Sequence, residues 1–162
     1  MSAIDVVIPA FNAADYLDEA LASVVGQQQA ARRIIVVDDG STDATADVAR
    51  AAGDAIEVVR QDNRGAAAAR NLGIARSDAP LLAFLDADDR WTADKLALQA
   101  SALTADRELD FVVCLARAFA SPELPEAERV ALQGQQPRPF EGWMSGALLI
   151  RRAAFDRAPP GT

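Results

Sequence analysis

The chain has 162 residues, of which 24 are acidic, 16 are basic and none is histidine, so its formal net charge is −8. This length suits one α/β domain with one hydrophobic core, and the acidity argues against binding to nucleic acid, which depends on clustered lysine and arginine. The lack of histidine excludes histidine-based triads and zinc sites, and it leaves chemistry to carboxylates, hydroxyls or a bound metal.

The start of the chain and its single cysteine predict a protein of a reducing compartment. Met1–Asp5 has no basic segment of the kind that begins a secretory signal, and no stretch reaches the roughly 18 apolar residues that a membrane span needs. Cys114 lies in an apolar run, which predicts a buried strand thiol and excludes an intramolecular disulfide. We therefore expect a soluble protein that is cytoplasmic or peripheral to the inner face of the membrane.

Short apolar runs alternate with helical patterns along most of the chain, which is typical of βαβ units. Strands are predicted at 4–8, 33–37, 56–60, 81–85 and 110–116. Helices are predicted between them: one capped by Asn12 and running through Leu17 to Val25, one at 43–52, one at 65–77, and one capped by Thr92 and running through Leu96 to Leu103. The expected fold is α/β, with a Rossmann-like, mostly parallel sheet and helices on both faces.

The pattern weakens after Ala118. Residues 121–139 are rich in proline, glutamine and glutamate and predict a loop. A strand-like run at 143–150 follows, and after it come Arg151, Arg152 and a short helical piece that stops at Pro159.

Acidic residues directly follow two of the predicted strands. Asp38 and Asp39 follow the second strand, and Asp86 and Asp88 follow the fourth. In open α/β sheets the carboxyl ends of the strands line the ligand crevice, so these acids are expected to share one site with Pro9–Asn12, which follows the first strand. If residues 86–88 are extended, both acids point the same way and can offer oxygens to Mg²⁺ or Mn²⁺, with water and a diphosphate as further ligands.

Each of these motifs also has a purely structural explanation. Residues 38–43 form a good strand-to-helix turn with a helix cap, and an Asp-x-Asp spacing arises by chance in an acidic chain. The segment Gly65–Ala69 is typical of tight helix packing, and it lacks the lysine of a Walker loop and the glycine pattern of a dinucleotide site.

Four motifs follow one another along the chain: Ile-Pro-Ala-Phe-Asn at 8–12, Val-Val-Asp-Asp-Gly-Ser-Thr-Asp at 36–43, the segment 63–73, and Phe-Leu-Asp-Ala-Asp-Asp-Arg-Trp at 84–91 with Asp-Lys-Leu at 94–96. In this order they closely resemble the family 2 glycosyltransferases of the GT-A fold. The resemblance covers Ile4 to about Leu103 and resumes weakly at 145–152.

The resemblance implies transfer of a sugar from a nucleotide diphosphate donor, a UDP- or dTDP-sugar, with inversion at the anomeric carbon. Asp39 would accept a hydrogen bond from the base, Asp86 would lie near the ribose, and Asp88 would hold Mg²⁺ or Mn²⁺ in a DXD motif, with Asp89 in support. The metal fits the charge of the chain, because carboxylates can hold a diphosphate only with a cation between them. The implied nucleotide-binding residues are Pro9, Ala10, Phe11, Asp38, Asp39, Arg70, Asn71 and Asp86.

The resemblance also implies that residues 1–118 form the donor-binding core and that residues 119–162 begin the acceptor side of a longer enzyme. Inversion needs a carboxylate base that takes the proton of the acceptor hydroxyl, and in the family this acid follows the Arg-Arg segment. Asp156 and Glu141 are the nearby candidates, although a surface carboxylate is the better supported interpretation of each. The acceptor would be a saccharide, a lipid-linked group or a protein.

Other functions account for parts of the sequence. A nucleotide-binding module that lacks its catalytic base stays open as the main alternative. A phosphatase of the haloacid dehalogenase type would use Asp86 and Asp88, but it normally carries that motif on its first strand. A sugar-nucleotide pyrophosphorylase would need a glycine-rich, basic loop where this chain has Pro9–Asn12.

Overall fold

The structure, a computed structural model, describes residues 2–121, 123–134, 139–141 and 144–157. Its strands are β1 Ile4–Ala10, β2 Arg33–Asp38, β3 Ile56–Arg60, β4 Leu81–Phe84, β5 Phe111–Val113, β6 Leu115–Ala116, β7 Phe140–Glu141 and β8 Leu148–Arg151. Six of them form a central sheet in the order β3-β2-β1-β4-β8-β5, and β6 pairs with β7 in a small second sheet. Strands β1 to β4 are parallel, while β8 is antiparallel to both of its neighbours.

The helices are α1 Leu17–Val25, α2 Thr45–Ala51, α3 Ala66–Arg76, α4 Lys95–Ala105, α5 Glu126–Gly134 and α6 Arg152–Arg157, with a 3-10 turn at Ser145–Ala147. None of the helices in the described ranges has the length and apolar character needed to cross a bilayer.

The two faces of the central sheet carry different helices. Because side chains alternate along a strand, Val6 and Ile8 of β1 pack towards α1, α2 and α4, while Val7 packs towards α3. Phe84 also faces the α3 side, where the ring of Phe155 on α6 meets it edge to face. The structure therefore confirms the predicted α/β fold with a mostly parallel sheet between two helix layers.

Two predicted helix caps are wrong. Helix α1 begins at Leu17, five residues after Asn12, and α4 begins at Lys95, three residues after Thr92. Asn12 instead adopts a backbone φ of 47° and joins two loops: its N–H donates to Ser41 Oγ at 2.9 Å. Its side-chain oxygen accepts the Thr42 N–H at 2.9 Å, so Asn12 ties the loop after β1 to the loop after β2.

The C-terminal third differs most from the expectation. The predicted strand 110–116 is divided between two sheets at Cys114, which is half-buried and not the fully buried strand thiol that we expected. The predicted loop 121–139 contains α5, while residues 135–138 and Pro159 lie outside the described part. Strand β8 inserts between β4 and β5 with Leu149 fully buried, so residues beyond Ala118 complete the central sheet.

Helix α3 lies against β1 at Gly73. A Cβ atom added to Gly73 would stand 2.3 Å from Cγ1 of Val7, which is fully buried and has no free space to move into. The small residue at this position therefore sets how closely α3 approaches the sheet.

We predict that Gly73→Ala destabilises the protein, although alanine normally favours a helix over glycine. The clash with Val7 should lower the free energy of unfolding by about 1–3 kcal/mol, measured by urea denaturation. In the Val7→Ala background, where the methyl groups in conflict are gone, the same change should cost much less. A Gly73→Ala protein that is more stable than the wild type would contradict this packing.

Candidate functional site

The carboxyl ends of β1, β2 and β4 meet at one edge of the central sheet. Strands β2 and β3 extend the sheet on one side of β1, and β4 lies on its other side, so the order of connection reverses beside β1. Such a reversal opens a crevice at the carboxyl ends of the strands. Pro9 and Ala10 end β1 there, and the ring of Phe11 that follows is half exposed. We call this place the donor crevice.

Asp39 is held at the donor crevice by a set of hydrogen bonds. Its backbone N–H donates to Ala10 O at 2.8 Å. Its carboxylate accepts from Gln61 Nε2 at 2.7 Å and from the backbone N–H groups of Arg64 and Gly65, each at 2.8 Å. Burial alone would raise the pKa of Asp39, but these donors outweigh it and lower the pKa below its ordinary value. Asp39 therefore stays ionised and fixes the turn that precedes α3.

Asp38 points the other way, since adjacent strand residues face opposite sides of a sheet. Its carboxylate is fully buried, accepts the Ser41 N–H at 2.9 Å and lies 3.5 Å from Nη1 of Arg60. Asp38 thus stabilises the turn after β2, whereas Asp39 holds the turn before α3 at the donor crevice.

Asp86 forms an ion pair with Arg70 of α3, and Ser145 Oγ lies 3.5 Å from both of its carboxylate oxygens. Nε of Arg70 is buried and has no hydrogen-bond partner among the described residues. Asn71 is exposed and lies about 200° round α3 from Ala69, which faces the sheet, so the structure does not bring Asn71 to the donor crevice.

Residues 86–89 form a turn, which contradicts the extended segment predicted for them. The Asp89 N–H donates to Asp86 O at 3.0 Å, so Asp86 and Asp88 do not project side by side. Asp86 pairs with Arg70, whereas Asp88 is exposed and Asp89 is half-buried. Burial, followed by the charges of Asp88 and Asp86, raises the pKa of Asp89.

The 86–89 turn can supply part of the ligand set of a divalent cation. In the described ranges, no three histidine, cysteine or acidic side chains converge as a complete metal site. Magnesium and manganese, however, are commonly held by one or two carboxylates plus water and substrate phosphates. Since Arg70 already neutralises Asp86, Asp88 and the like-charged Asp89 are the groups that could hold such an ion.

Asp88 and Asp89 also line a cleft of about 950 Å³. Apolar side chains from α4 and from the small second sheet form much of its wall, among them Leu98, Leu115 and Phe140. We call it the apolar cleft; Asp88 and Asp89 belong to its lining, whereas Asp39 and Asp86 of the donor crevice do not.

Lys95 is a buried base in the wall of the apolar cleft, 5% exposed. Its ammonium donates to Gln99 Oε1 at 2.7 Å and lies 4.0 Å from the centre of the Trp91 ring. Burial lowers the pKa of Lys95 to about 8, and the neighbouring Cys114 acts weakly in the opposite direction. We predicted no role for Lys95; the available signals were its place in the Asp-Lys-Leu segment 94–96, which follows the last motif, and its being the one lysine among 16 basic residues.

Of the two candidate bases, Asp156 lies apart from the 86–89 turn, and the side chain of Glu141 is not described. Asp156 is exposed on α6, and its neighbour Arg157 pairs with Asp110, which precedes β5. Strand β5 runs parallel to β4, so Asp110 marks the amino edge of the sheet, opposite the donor crevice. Glu141 belongs to β7, and its side chain is not among those described.

Comparisons with known proteins give a consistent result. The sequence model of the family described as Glycosyl transferase family 2 matches residues 5–150. The succinoglycan biosynthesis protein ExoU of Rhizobium meliloti is 52% identical over 88 residues, which are 52% of this chain and 25% of ExoU. The putative teichuronic acid biosynthesis glycosyltransferase TuaG of Bacillus subtilis is 40% identical over 100 residues, 59% of this chain and 40% of TuaG. The chain thus spans a quarter to two fifths of these relatives.

Solved structures share the fold. The mannosyltransferase PcManGT of Pyrobaculum calidifontis, described in complex with GDP-Man and Mn²⁺, superposes with a TM-score of 0.66 at 28% identity and covers 72% of this chain and 36% of its own. TarS 1-349 of S. aureus superposes with a TM-score of 0.72 and covers 95% of this chain and 48% of its own. At 20% identity, the likeness to TarS bears on the fold alone.

The buried position of Lys95 predicts a measurable titration. Because the chain has a single lysine, labelling with ¹⁵Nζ-lysine gives one side-chain resonance that needs no further assignment. We expect this resonance to titrate with a midpoint of about 8 in the folded protein, and near 10.4 in urea, where the burial is lost. A folded-state midpoint above 10 would show that the ammonium is solvated and not enclosed by Trp91 and Gln99.

Proposed function

The chain belongs to glycosyl transferase family 2 and has the GT-A fold, and from that premise we propose that it forms the donor-binding part of a glycosyltransferase. The donor is a UDP- or dTDP-sugar, the cofactor is Mg²⁺ or Mn²⁺, and the sugar is transferred with inversion to an acceptor hydroxyl. The observation that carries the proposal is the pairing of a fixed carboxylate, Asp39, with the acidic 86–89 turn across one crevice.

A pyrimidine suits the Asp39 side of the donor crevice. The carboxylate has about four lone-pair positions and uses three of them within the protein, which leaves one on Oδ2. The N3–H of uracil or thymine is a donor of matching chemistry. The exposed ring of Phe11 and the end of β1 at Pro9 and Ala10 offer an apolar surface for the base.

A metal ion suits the other side of the donor crevice. PcManGT is described with GDP-Man and Mn²⁺, which supports a divalent cation in this family member as well. Asp88 would hold the ion, with Asp89 in support, and the ion would stabilise the charge of the departing diphosphate. Arg70, whose buried Nε has no hydrogen-bond partner in the described part of the chain, keeps Asp86 in place.

In the transfer, the acceptor oxygen forms a bond to the anomeric carbon while the bond from that carbon to the diphosphate oxygen breaks. The proton of the acceptor hydroxyl goes to a carboxylate base. Asp156 is not assigned that role, because it lies beside the Arg157–Asp110 pair at the opposite edge of the sheet. Residues 119–162 would begin the acceptor side, since they contribute Phe140 and Met144 to the apolar cleft beside Asp88.

We predict that UDP or dTDP binds this chain at least about tenfold more tightly with Mn²⁺ than without it, because the cation offsets the charge of the 86–89 turn. Asp88→Asn should abolish that gain, as measured by isothermal titration calorimetry. Asp54→Asn, which removes an exposed carboxylate before β3, is the matched control and should keep it. GDP should bind more weakly than UDP.

Equal affinity for UDP with and without Mn²⁺ would contradict the metal assignment. Release of UDP from UDP-sugars that depends on the metal would support the transferase. Metal-dependent binding with no turnover for any sugar would favour the nucleotide-binding module instead.

A further inference from the structure

Lys95 carries a charge that its contacts within the protein do not require. Gln99 Nε2 donates to Val112 O at 3.0 Å and to Ala147 O at 2.8 Å, so its amide joins α4 to β5 and to the 3-10 turn. The remaining amide oxygen accepts from Lys95. Any neutral N–H or O–H donor would complete this arrangement, whereas a buried ammonium adds a large desolvation cost.

The ammonium is incompletely paired. It has three N–H donors; one is used by Gln99, and the face of the Trp91 ring lies on another side. The ring is itself fixed, since Trp91 Nε1 donates to Gly146 O at 2.9 Å. None of the ion pairs found among the described residues includes Lys95.

The surroundings of Lys95 would strengthen a bond to an anion. Lys95 belongs to the lining of the apolar cleft together with Leu98 and Met144, and apolar walls lower the local dielectric and so strengthen a bond between an ammonium and an anion. Arg90 and Arg117 also line the cleft. Arg90 is paired with Glu19 and stacked on Phe119, and Arg117 is exposed, so that water weakens its attraction for an anion. Lys95 is thus a preorganised cation, held by two fixed partners and left with donor capacity.

We propose that Lys95 binds a negatively charged group of the acceptor, a sugar carboxylate or a phosphate ester, inside the apolar cleft. This inference rests on the proposed glycosyltransferase function, because it takes the apolar cleft as the acceptor side. Lys95 is then a specificity-determining residue: it selects acceptors that join an apolar part to one acidic group. The acids of the 86–89 turn would oppose such a ligand until donor and metal neutralise them, so the acceptor should bind after both.

The test compares three probes that differ in one substituent: octyl β-glucoside, octyl β-glucuronide and octyl β-glucoside 6-phosphate, each below its micelle concentration. They are titrated into the chain saturated with UDP and Mg²⁺, and affinity is measured by calorimetry. We expect one of the acidic probes to bind at least about tenfold more tightly than octyl glucoside, and its identity distinguishes a carboxylate from a phosphate. The same probe should shift the ¹⁵Nζ resonance of Lys95, and octyl glucoside should not.

Variants at this position separate charge from packing. Lys95→Gln keeps a donor for Gln99 without the charge and should bind all three probes equally, while Lys95→Arg should keep the preference. Arg90→Gln, which removes another cation of the cleft, is the matched control and should also keep it.

Equal affinities of the wild type for the three probes, or a preference that survives in Lys95→Gln, would overturn the proposal. If Lys95→Gln does not fold, the shift of the wild-type resonance decides. Failure of UDP to bind would instead count against the proposed donor site. In that case the acidic probes are titrated without nucleotide into the wild type and Lys95→Gln, which carry the same acids, and weaker binding to Lys95→Gln would still support the role of Lys95, while equal binding would overturn it.

Discussion

The carboxylate of Asp39 is the contact on which the geometry of the site depends. It accepts three hydrogen bonds from the turn between β3 and α3, and so it joins the end of β2 to the start of that helix. Because α3 begins there, Arg70 reaches Asp86 across the end of β1. Gly73 in the next turn lets the helix lie directly on Val7. One ionised group thus sets the position of the helix, and the helix sets one end of the 86–89 turn.

The acids that follow β2 and β4 lie in different local environments. Asp38 is enclosed by the turn after β2, Asp39 is held by donors and Asp86 is paired with Arg70. Asp88 is exposed, and burial together with the charges of Asp88 and Asp86 raises the pKa of Asp89, so repulsion between acids persists at the 86–89 turn, the boundary shared by the donor crevice and the apolar cleft. A cation with a diphosphate on one side and an acceptor on the other is the arrangement that this boundary favours.

The sequence predicted the parallel half of the fold because that information is local. Strands β1 to β4 are apolar runs that end in polar turns, and the apolar residues of the connecting helices recur at helical spacing. The place of β8 could not be predicted in this way, since Leu148–Arg151 has the same character as any short strand and its insertion between β4 and β5 depends on pairing across the sheet.

The acids of the site were predicted from their positions after β2 and β4. The turn at 86–89 was missed because it differs from an extended segment by a single backbone hydrogen bond, from the Asp89 N–H to Asp86 O, which the sequence does not reveal. Lys95 was missed because burial of its ammonium depends on Trp91 and Gln99, whose contacts the sequence does not show.

The central claim is that metal and nucleotide meet at the 86–89 turn, and paramagnetic relaxation by Mn²⁺ tests it most directly. In the ¹⁵N-labelled chain with UDP, we expect substoichiometric Mn²⁺ to broaden the backbone amides of residues 86–89 most strongly. The amides of Ser77 and Asp78, at the amino edge of the sheet, should stay sharp, and without UDP the broadening at 86–89 should be much weaker. Broadening that is strongest at the amino edge, or that does not depend on UDP, would contradict a donor site built on Asp39 and on Asp88 of the 86–89 turn.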